Sequence, residues 1–129
     1  MASPVIAPAT ARDFMEYAGQ LPPYRVTAWA ARHGGKVIGL GGVLIMPDGA
    51  RYAFMDVSDE ARRFPKAMHK TGLAFMREVR KSYQGPIVAT TTTNVPRANE
   101  WLIRLGFTCH EVGGTRVFIH AGDPDQVQS

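Results

Sequence analysis

The residues best suited to chemistry lie together at one junction, where a predicted strand runs into a predicted helix. Asp56 lies near the end of the strand, and Arg62, Arg63 and Lys66 follow in the turn and at the start of the helix. A carboxylate at a strand end beside a cleft can take a proton from an amine, directly or through water. Backbone N–H groups at a helix N-terminus, supported by basic side chains, can hold an anion such as a phosphate. A ligand site is therefore expected at this junction.

The same residues also have a purely structural interpretation. Asp56 is equally consistent with a carboxylate that caps a turn, and the basic residues are consistent with a solvated positive surface. Pro65 lies just after the basic pair and is a favourable first residue of a helix, because the N–H group that it lacks needs no partner there. Both interpretations stay open on the sequence alone.

Length and composition are typical of a single globular domain. The chain has 129 residues, of which 20% are charged, and a formal net charge of +4. The basic residues are scattered rather than interleaved with aromatic ones, which argues against a nucleic-acid groove. No apolar run approaches the ~20 residues of a membrane span, and no signal peptide is evident, so a cytoplasmic protein is expected.

Cysteine and histidine point to no special chemistry. Cys109 is the single cysteine, which excludes an intrachain disulfide, and it is expected to behave as a small buried hydrophobic residue. The histidines do not have the spacing of metal ligands, so no metal site is predicted.

Hydrophobic periodicity and turn signals give the element order β-α-β-β-β-α-β-α-β-β. The predicted elements are an edge strand at residues 5–6, a helix after the capping box Thr10 to Asp13, strands over 24–33, 36–46 and 51–57, a helix from Pro65, a strand over 87–93, a helix from Pro96, and a hairpin of 107–112 with 115–120. Two helices have an apolar stripe that is expected to be buried: Ala11, Phe14, Met15 and Ala18 in the first, and Met68, Gly72, Phe75, Met76, Val79 and Tyr83 in the helix from Pro65. Alternation along 24–33 is expected to turn Val26, Ala28 and Ala30 to one face and Thr27, Trp29 and Ala31 to the other.

This order predicts an α/β (α+β) domain over residues 1–121, with a mixed central β-sheet of about seven strands flanked by helices. The strand at 87–93 follows the strand at 51–57 through a helix, so the two are expected to be parallel. The strand at 36–46 is apolar on both faces and should be central, and its three glycines indicate a bulge or a close backbone approach. Residues 122–129 form a polar tail.

The segment 94–107 (NVPRANEWLIRLGF) carries a resemblance to a known family. Together with the element order, it resembles the late signature of the GNAT superfamily of acyl-CoA-dependent N-acetyltransferases. The matching residues are Ala98, Arg104, Leu105, Gly106 and Phe107. Asn94 is displaced by one position from the family's asparagine. At the junction, Val57, Arg62 and Ala67 fit the family's pattern, whereas Pro65 stands where the first glycine belongs.

The resemblance implies that acetyl-CoA is the co-substrate of a single GNAT-like domain. An amine on a small molecule or protein would attack the thioester directly, with Asp56 as the base. The residues implied in cofactor binding are Val57 for the pantetheine arm, Arg62, Arg63, Lys66 and Ala67 for the pyrophosphate, and Asn94. Edge strands at residues 5–6 and in the last hairpin offer surfaces for a homodimer or another protein partner.

Two departures from the family pattern support a different function. Pro65 lacks an N–H group, and Leu102 stands where many family members have a tyrosine that acts as general acid. The alternative is therefore a catalytically inactive binding or structural protein of the same fold. Such chains are similar to small GNAT-like proteins encoded by tailed phages, some of which are virion components, and a host-interaction role is the related possibility.

Overall fold

A computed structural model describes residues 3–90 and 96–121 of the chain. The predicted element order is confirmed. The elements are β1 Val5–Pro8, α1 Ala11–Ala18, β2 Arg25–His33, β3 Lys36–Ile45, β4 Arg51–Val57, a 3₁₀ turn Ala61–Arg63, α2 Pro65–Ser82, β5 Ile87–Ala89, α3 Pro96–Arg104, β6 Thr108–Val112 and β7 Thr115–His120.

The seven strands form one mixed sheet in the order β1-β2-β3-β4-β5-β7-β6. Strands β1 to β4 are an antiparallel meander, and β5 pairs with β4 in parallel, as the intervening helix predicts. That parallel pairing joins only residues 51–53 of β4 to β5. On the side of β4 that faces β5, residues 54–57 have no strand partner among the described residues, so the sheet opens between β4 and β5.

The two faces of the sheet bury different helices. The alternation along β2 is confirmed, since Trp29 and Ala31 pack with Met68 of α2, whereas Ala30 packs with Phe14 of α1. The predicted stripe of α2 is also confirmed, because its buried residues are Met68, Gly72, Met76 and Val79. The spacing of apolar residues therefore places one helix on each face.

Helix α1 begins with the predicted capping box but buries a different face. The Thr10 N–H group donates to Asp13 at 2.8 Å, and the Asp13 N–H group donates to the Thr10 hydroxyl at 3.2 Å. Of the predicted apolar stripe only Phe14 is buried, because Ala11, Ala18 and Met15, which is 51% exposed, all face solvent, while Asp13 is buried. The reason is that Asp13 also accepts a hydrogen bond from Arg32 at 2.7 Å, which turns this side of the helix toward β2.

The glycines of β3 allow the close approach that the sequence predicts. A Cβ atom on Gly41 would lie 2.4 Å from the indole ring of Trp29, and one on Gly42 would lie 2.3 Å from the carbonyl oxygen of Thr27. The register between β2 and β3 also shifts between Ala31 and Arg32. Because Gly41 and Gly42 carry no side chain, the Trp29 ring and the backbone of β2 can lie directly against β3.

The expectation that Cys109 is buried is wrong, because its thiol belongs to an exposed residue of β6. This strand is the last of the sheet, and all five of its residues are exposed.

Candidate functional site

A cleft of about 880 Å³ opens where β4 and β5 diverge. Its walls are the open edge of β4, the inner face of α2 and the residues of α3, and Thr90 lies just beyond the end of β5. The cleft therefore lies at the carboxyl ends of two parallel strands, where open α/β sheets bind ligands. This is the place that the sequence predicts.

The loop between β4 and α2 is held firmly against the sheet. The Ser58 N–H group donates to the carbonyl oxygen of Ile38 at 2.9 Å, and the Ala61 N–H group donates to the carbonyl oxygen of Ser58 at 3.1 Å. The side chain of Ala61 is fully buried in the cluster that contains Trp29 and Ile38. Because Ala61 points inward, the following residues Arg62 and Arg63 are directed toward solvent.

A second contact anchors the loop to the end of β2. The His33 ring lies 3.2 Å from the Glu60 carboxylate and packs against the Phe64 ring at a centroid distance of 5.0 Å. Phe64 immediately precedes α2, so this contact fixes where the helix begins.

The first turn of α2 has backbone donors and no side-chain cap. Phe64 is the N-cap residue, and the first N–H group bonded within the helix is that of Met68, which donates to the Phe64 carbonyl oxygen at 3.0 Å. The N–H groups of Lys66 and Ala67 therefore have no intrahelical acceptor. Pro65 occupies the first helical position and removes only the donor there. The end of the helix keeps two donors and its partial positive charge.

The predicted cation cluster lies around this helix start. Arg62 lines the cleft, and its guanidinium lies 3.4 Å from the Asp59 carboxylate. The two side chains are 59% and 98% exposed, so this ion pair is weak and leaves Arg62 available to a ligand. Arg63 and Lys66 are exposed beside it, and neither they nor Ala67 line the cleft.

Asp56 lines the cleft and accepts a hydrogen bond from the Tyr17 hydroxyl at 3.2 Å. Burial, followed by the negative charge and the hydrogen bond of Asp56, raises the pKa of Tyr17 to about 12. The phenol therefore stays protonated near neutral pH and acts as a donor. The turn after β4 is instead capped by Ser58, whose hydroxyl accepts from the Ala61 N–H group at 3.4 Å. Among the described contacts Asp56 does not cap this turn, and its role as a base stays a prediction.

Val57 packs against the α2 face of the sheet and lies at the end of the open β4 edge. Its backbone is the last of the strand before the loop. Asn94, the remaining predicted site residue, lies outside the described residues.

Helix α3 contributes one group that sequence reasoning missed. Glu100 is exposed and lines the cleft, and no motif singled it out, because its position follows from how α3 packs on α2. That packing depends on Gly72, where a Cβ atom would lie 2.8 Å from the Trp101 indole. Leu102 is 9% exposed and belongs to the core while also lining the cleft. At this position the chain presents a methyl group instead of a hydroxyl.

The described residues contain no group of three or more His, Cys, Asp or Glu side chains arranged to hold a metal ion. In the described part of the chain, no helix combines the length and the apolar character needed to cross a membrane.

No protein-family model and no curated protein matches this sequence. The fold, in contrast, is similar to those of solved acetyltransferases. An N-acetyltransferase of Staphylococcus aureus has a TM-score of 0.67 at 12% identity, over 93% of this chain and 98% of that chain. A Bacillus subtilis acetyltransferase in complex with CoA has a TM-score of 0.61 at 11% identity, over 90% and 95%. AAC(6')-Ib in complex with paromomycin and acetyl-CoA has a TM-score of 0.61 at 12% identity, over 98% and 97%.

These similarities extend over nearly the whole chain at identities far below those that transfer a function. They agree with the strand order, the parallel β4–β5 pair and the opening between those strands. The chain therefore has the fold of the GNAT N-acetyltransferases.

Proposed function

We propose that this protein transfers an acetyl group from acetyl-CoA to an amine. The observation that carries the proposal is the coincidence of three features at one cleft: the β4 edge beside the opening, an uncapped helix start whose Arg62 and Pro65 line the cleft while Arg63, Lys66 and Ala67 lie beside it, and the carboxylate of Asp56. Acetyl-CoA combines an extended amide-bearing arm with a pyrophosphate, and the first two features suit those two parts.

In this proposal the cofactor lies along the opening. On the side of β4 that faces β5, residues 54–57 have no strand partner among the described residues, and their N–H and C=O groups suit the amides of the pantetheine arm, because an extended chain can add to an open strand edge. The N–H groups of Lys66 and Ala67 suit the pyrophosphate at the helix start. Arg62, Arg63 and the Lys66 side chain add charge-assisted hydrogen bonds. Asn94 is included on the family resemblance alone. The complexes of two similar structures with CoA and acetyl-CoA support this assignment.

The proposed reaction needs no covalent enzyme intermediate. The neutral amine nitrogen attacks the thioester carbonyl carbon, the C–S bond breaks, and CoA leaves as a thiolate. Asp56 accepts the amine proton, directly or through water. Leu102 has no proton to donate, so the leaving thiolate takes one from solvent.

Titration of acetyl-CoA by calorimetry tests the cofactor site. Arg62→Ala combined with Lys66→Ala removes two exposed charge-assisted contacts worth together about 2 kcal/mol, which corresponds to a Kd about thirtyfold weaker. The matched control is Arg77→Ala combined with Lys81→Ala, which removes the same charge farther along α2 and should leave the Kd within about twofold. Absence of any acetyl-CoA binding at about 1 mM would overturn the proposal.

The buried position of Leu102 favours a second candidate, a protein of this fold that binds CoA or another ligand without turnover. The two candidates differ in thiol release. When acetyl-CoA and a mixture of primary amines are supplied, a transferase liberates free CoA thiol in proportion to acetylated amine. Saturable acetyl-CoA binding with no thiol release from any amine would support the inactive protein.

A further inference from the structure

A smaller concavity of about 330 Å³ adjoins the cleft. The two share Ala53, Phe54, Met55 and Thr90, so they form one continuous surface. The smaller one extends over residues that we call the apolar shelf. The shelf consists of Leu44, Met46, Tyr52 and Phe54; Met55 also borders the concavity, but strand alternation turns its side chain to the opposite face from Phe54.

The shelf lies where α1 stops covering the sheet. Leu40 and Leu44 of β3 lie opposite Asp56 and Tyr52 of β4, respectively. The eight-residue helix α1 covers the first of these pairs, since Phe14 packs with Leu40 and Tyr17 bonds to Asp56. Toward Leu44 and Tyr52 no residue of α1 lines the surface, and Tyr52 is 41% exposed.

The lining of the shelf is apolar and uncharged. None of the described residues that line it is acidic or basic. A concave apolar surface with the aromatic rings of Tyr52 and Phe54 and one thioether suits an uncharged organic group. Its volume is at the lower end for ligand pockets and suits a single ring rather than a polypeptide segment.

Asp56 stands at one end of this surface. It follows Tyr52 and Phe54 on the same face of β4, two residues apart each time, which places Asp56 roughly 7 Å from Phe54 and roughly 13 Å from Tyr52 along the strand. A carboxylate at the end of an apolar surface recognises a molecule with one positive charge and an apolar body. A polycation would place its other charges where the described lining has no carboxylate.

We infer that the acceptor is a small primary amine with an apolar or aromatic body, whose ammonium group lies at Asp56 and whose body lies on the shelf. The role of this amine as acceptor rests on the proposed acetyl transfer, whereas its binding at Asp56 and the shelf does not depend on that reaction.

Binding is tested first, without acetyl-CoA, by NMR of protein labelled with ¹³C in the phenylalanine and tyrosine rings. Phenethylamine should shift the ring signals of Phe54 and Tyr52 in a saturable way. The internal control is Tyr24, which is exposed and does not line the shelf. Absence of saturable shifts at Phe54 and Tyr52 overturns the inference.

Turnover is tested with phenethylamine, ethylamine, spermidine and a tripeptide that begins with phenylalanine. Burial of the phenyl ring predicts a kcat/KM about tenfold higher for phenethylamine than for ethylamine, and higher than for spermidine or the tripeptide. Tyr52→Ser should reduce this preference severalfold through KM, whereas Tyr52→Phe should retain it. Val112→Ser, at an exposed apolar residue of β6, should change nothing.

The outcomes separate the two proposals. If Phe54 and Tyr52 respond to phenethylamine but no amine is acetylated, the acyl transfer fails and the shelf stands as an amine-binding site. If amines are acetylated but spermidine or the tripeptide is preferred, the transfer stands and the inferred acceptor class is wrong.

Discussion

Replacement of Asp13 tests whether α1, and with it the partner of Asp56, is held by charge rather than by apolar packing. Asp13 accepts from the Thr10 N–H group at 2.8 Å and from Arg32 at 2.7 Å, and its side chain is only 10% exposed. Asp13→Ala removes both bonds. Tyr17 lies one turn farther along the same helix, so a loosened α1 also loosens its hydrogen bond to Asp56.

The magnitude follows from the partners that remain. Loss of one arm of the capping box costs about 1 kcal/mol. Loss of the charged hydrogen bond to Arg32 costs about 1 to 2 kcal/mol, at the lower end because Arg32 keeps Glu16 at 3.1 Å and the Gly35 carbonyl oxygen at 3.0 Å. The sum is about 2 to 3 kcal/mol, a large share of the ~5–15 kcal/mol that stabilises a typical domain.

Urea denaturation followed by circular dichroism measures this loss of unfolding free energy. Met15→Ala is the matched control, because it lies on the same helix, is exposed, and should change the unfolding free energy by less than about 0.5 kcal/mol. If Asp13→Ala lies within that same range, the reasoning about α1 is refuted.

The pH dependence of the wild-type protein provides an independent check. The backbone hydrogen bond from Thr10 and then the interactions with Arg32 lower the pKa of Asp13. The unfolded state therefore binds a proton more readily than the folded state. The stabilisation is fully present above the ordinary pKa of 3.8 and disappears as the pH falls through the lowered folded value. Asp13→Asn should flatten this acid limb.

The remaining predictions concern the proposed base Asp56 and the half-buried His120. Asp56→Asn should lower kcat by about 10²- to 10⁴-fold in an amine acetylation assay and leave the Kd of acetyl-CoA unchanged, and an unchanged kcat would remove Asp56 as the base. Burial and then the charge of Arg80 lower the pKa of His120, whose Nδ1 atom accepts a hydrogen bond from Arg80 at 3.1 Å. Because the unfolded state then binds the proton more readily, the free energy of unfolding should rise as the pH increases toward 7. His120→Gln should reduce that rise. Equal slopes of unfolding free energy against pH in the two proteins would contradict the prediction.

Local sequence patterns predicted most of the fold because each of them acts over a few residues. The paired glycines Gly34 and Gly35 both have positive φ angles and close the β2–β3 hairpin where the pattern indicates it. The capping box starts α1, and Pro65 starts α2. The apolar stripe of α2 also determined which of its faces is buried.

The candidate site was predicted less completely because it depends on contacts between distant segments. The position of Asp56 beside a cleft followed from strand order, but its partner Tyr17 is 39 residues away and no local pattern joins them. Met15 was predicted to be buried by spacing alone, and the Asp13–Arg32 pair turned the helix the other way. Glu100 entered the cleft through the packing of Trp101 on Gly72.

The sequence by itself determined the element order, the fold class and the junction where a ligand site belongs, since turn residues, caps and hydrophobic periods are local properties of the chain. Only the tertiary structure decided that, among the described residues, β5 pairs with residues 51–53 of β4 alone, that Pro65 removes a single donor from the start of α2, and that the apolar shelf joins the cleft at Phe54. The physical reason is that strand divergence and helix placement depend on packing between residues far apart in sequence. The same packing brings the junction from Arg51 to Lys81 and helix α3 around one cleft.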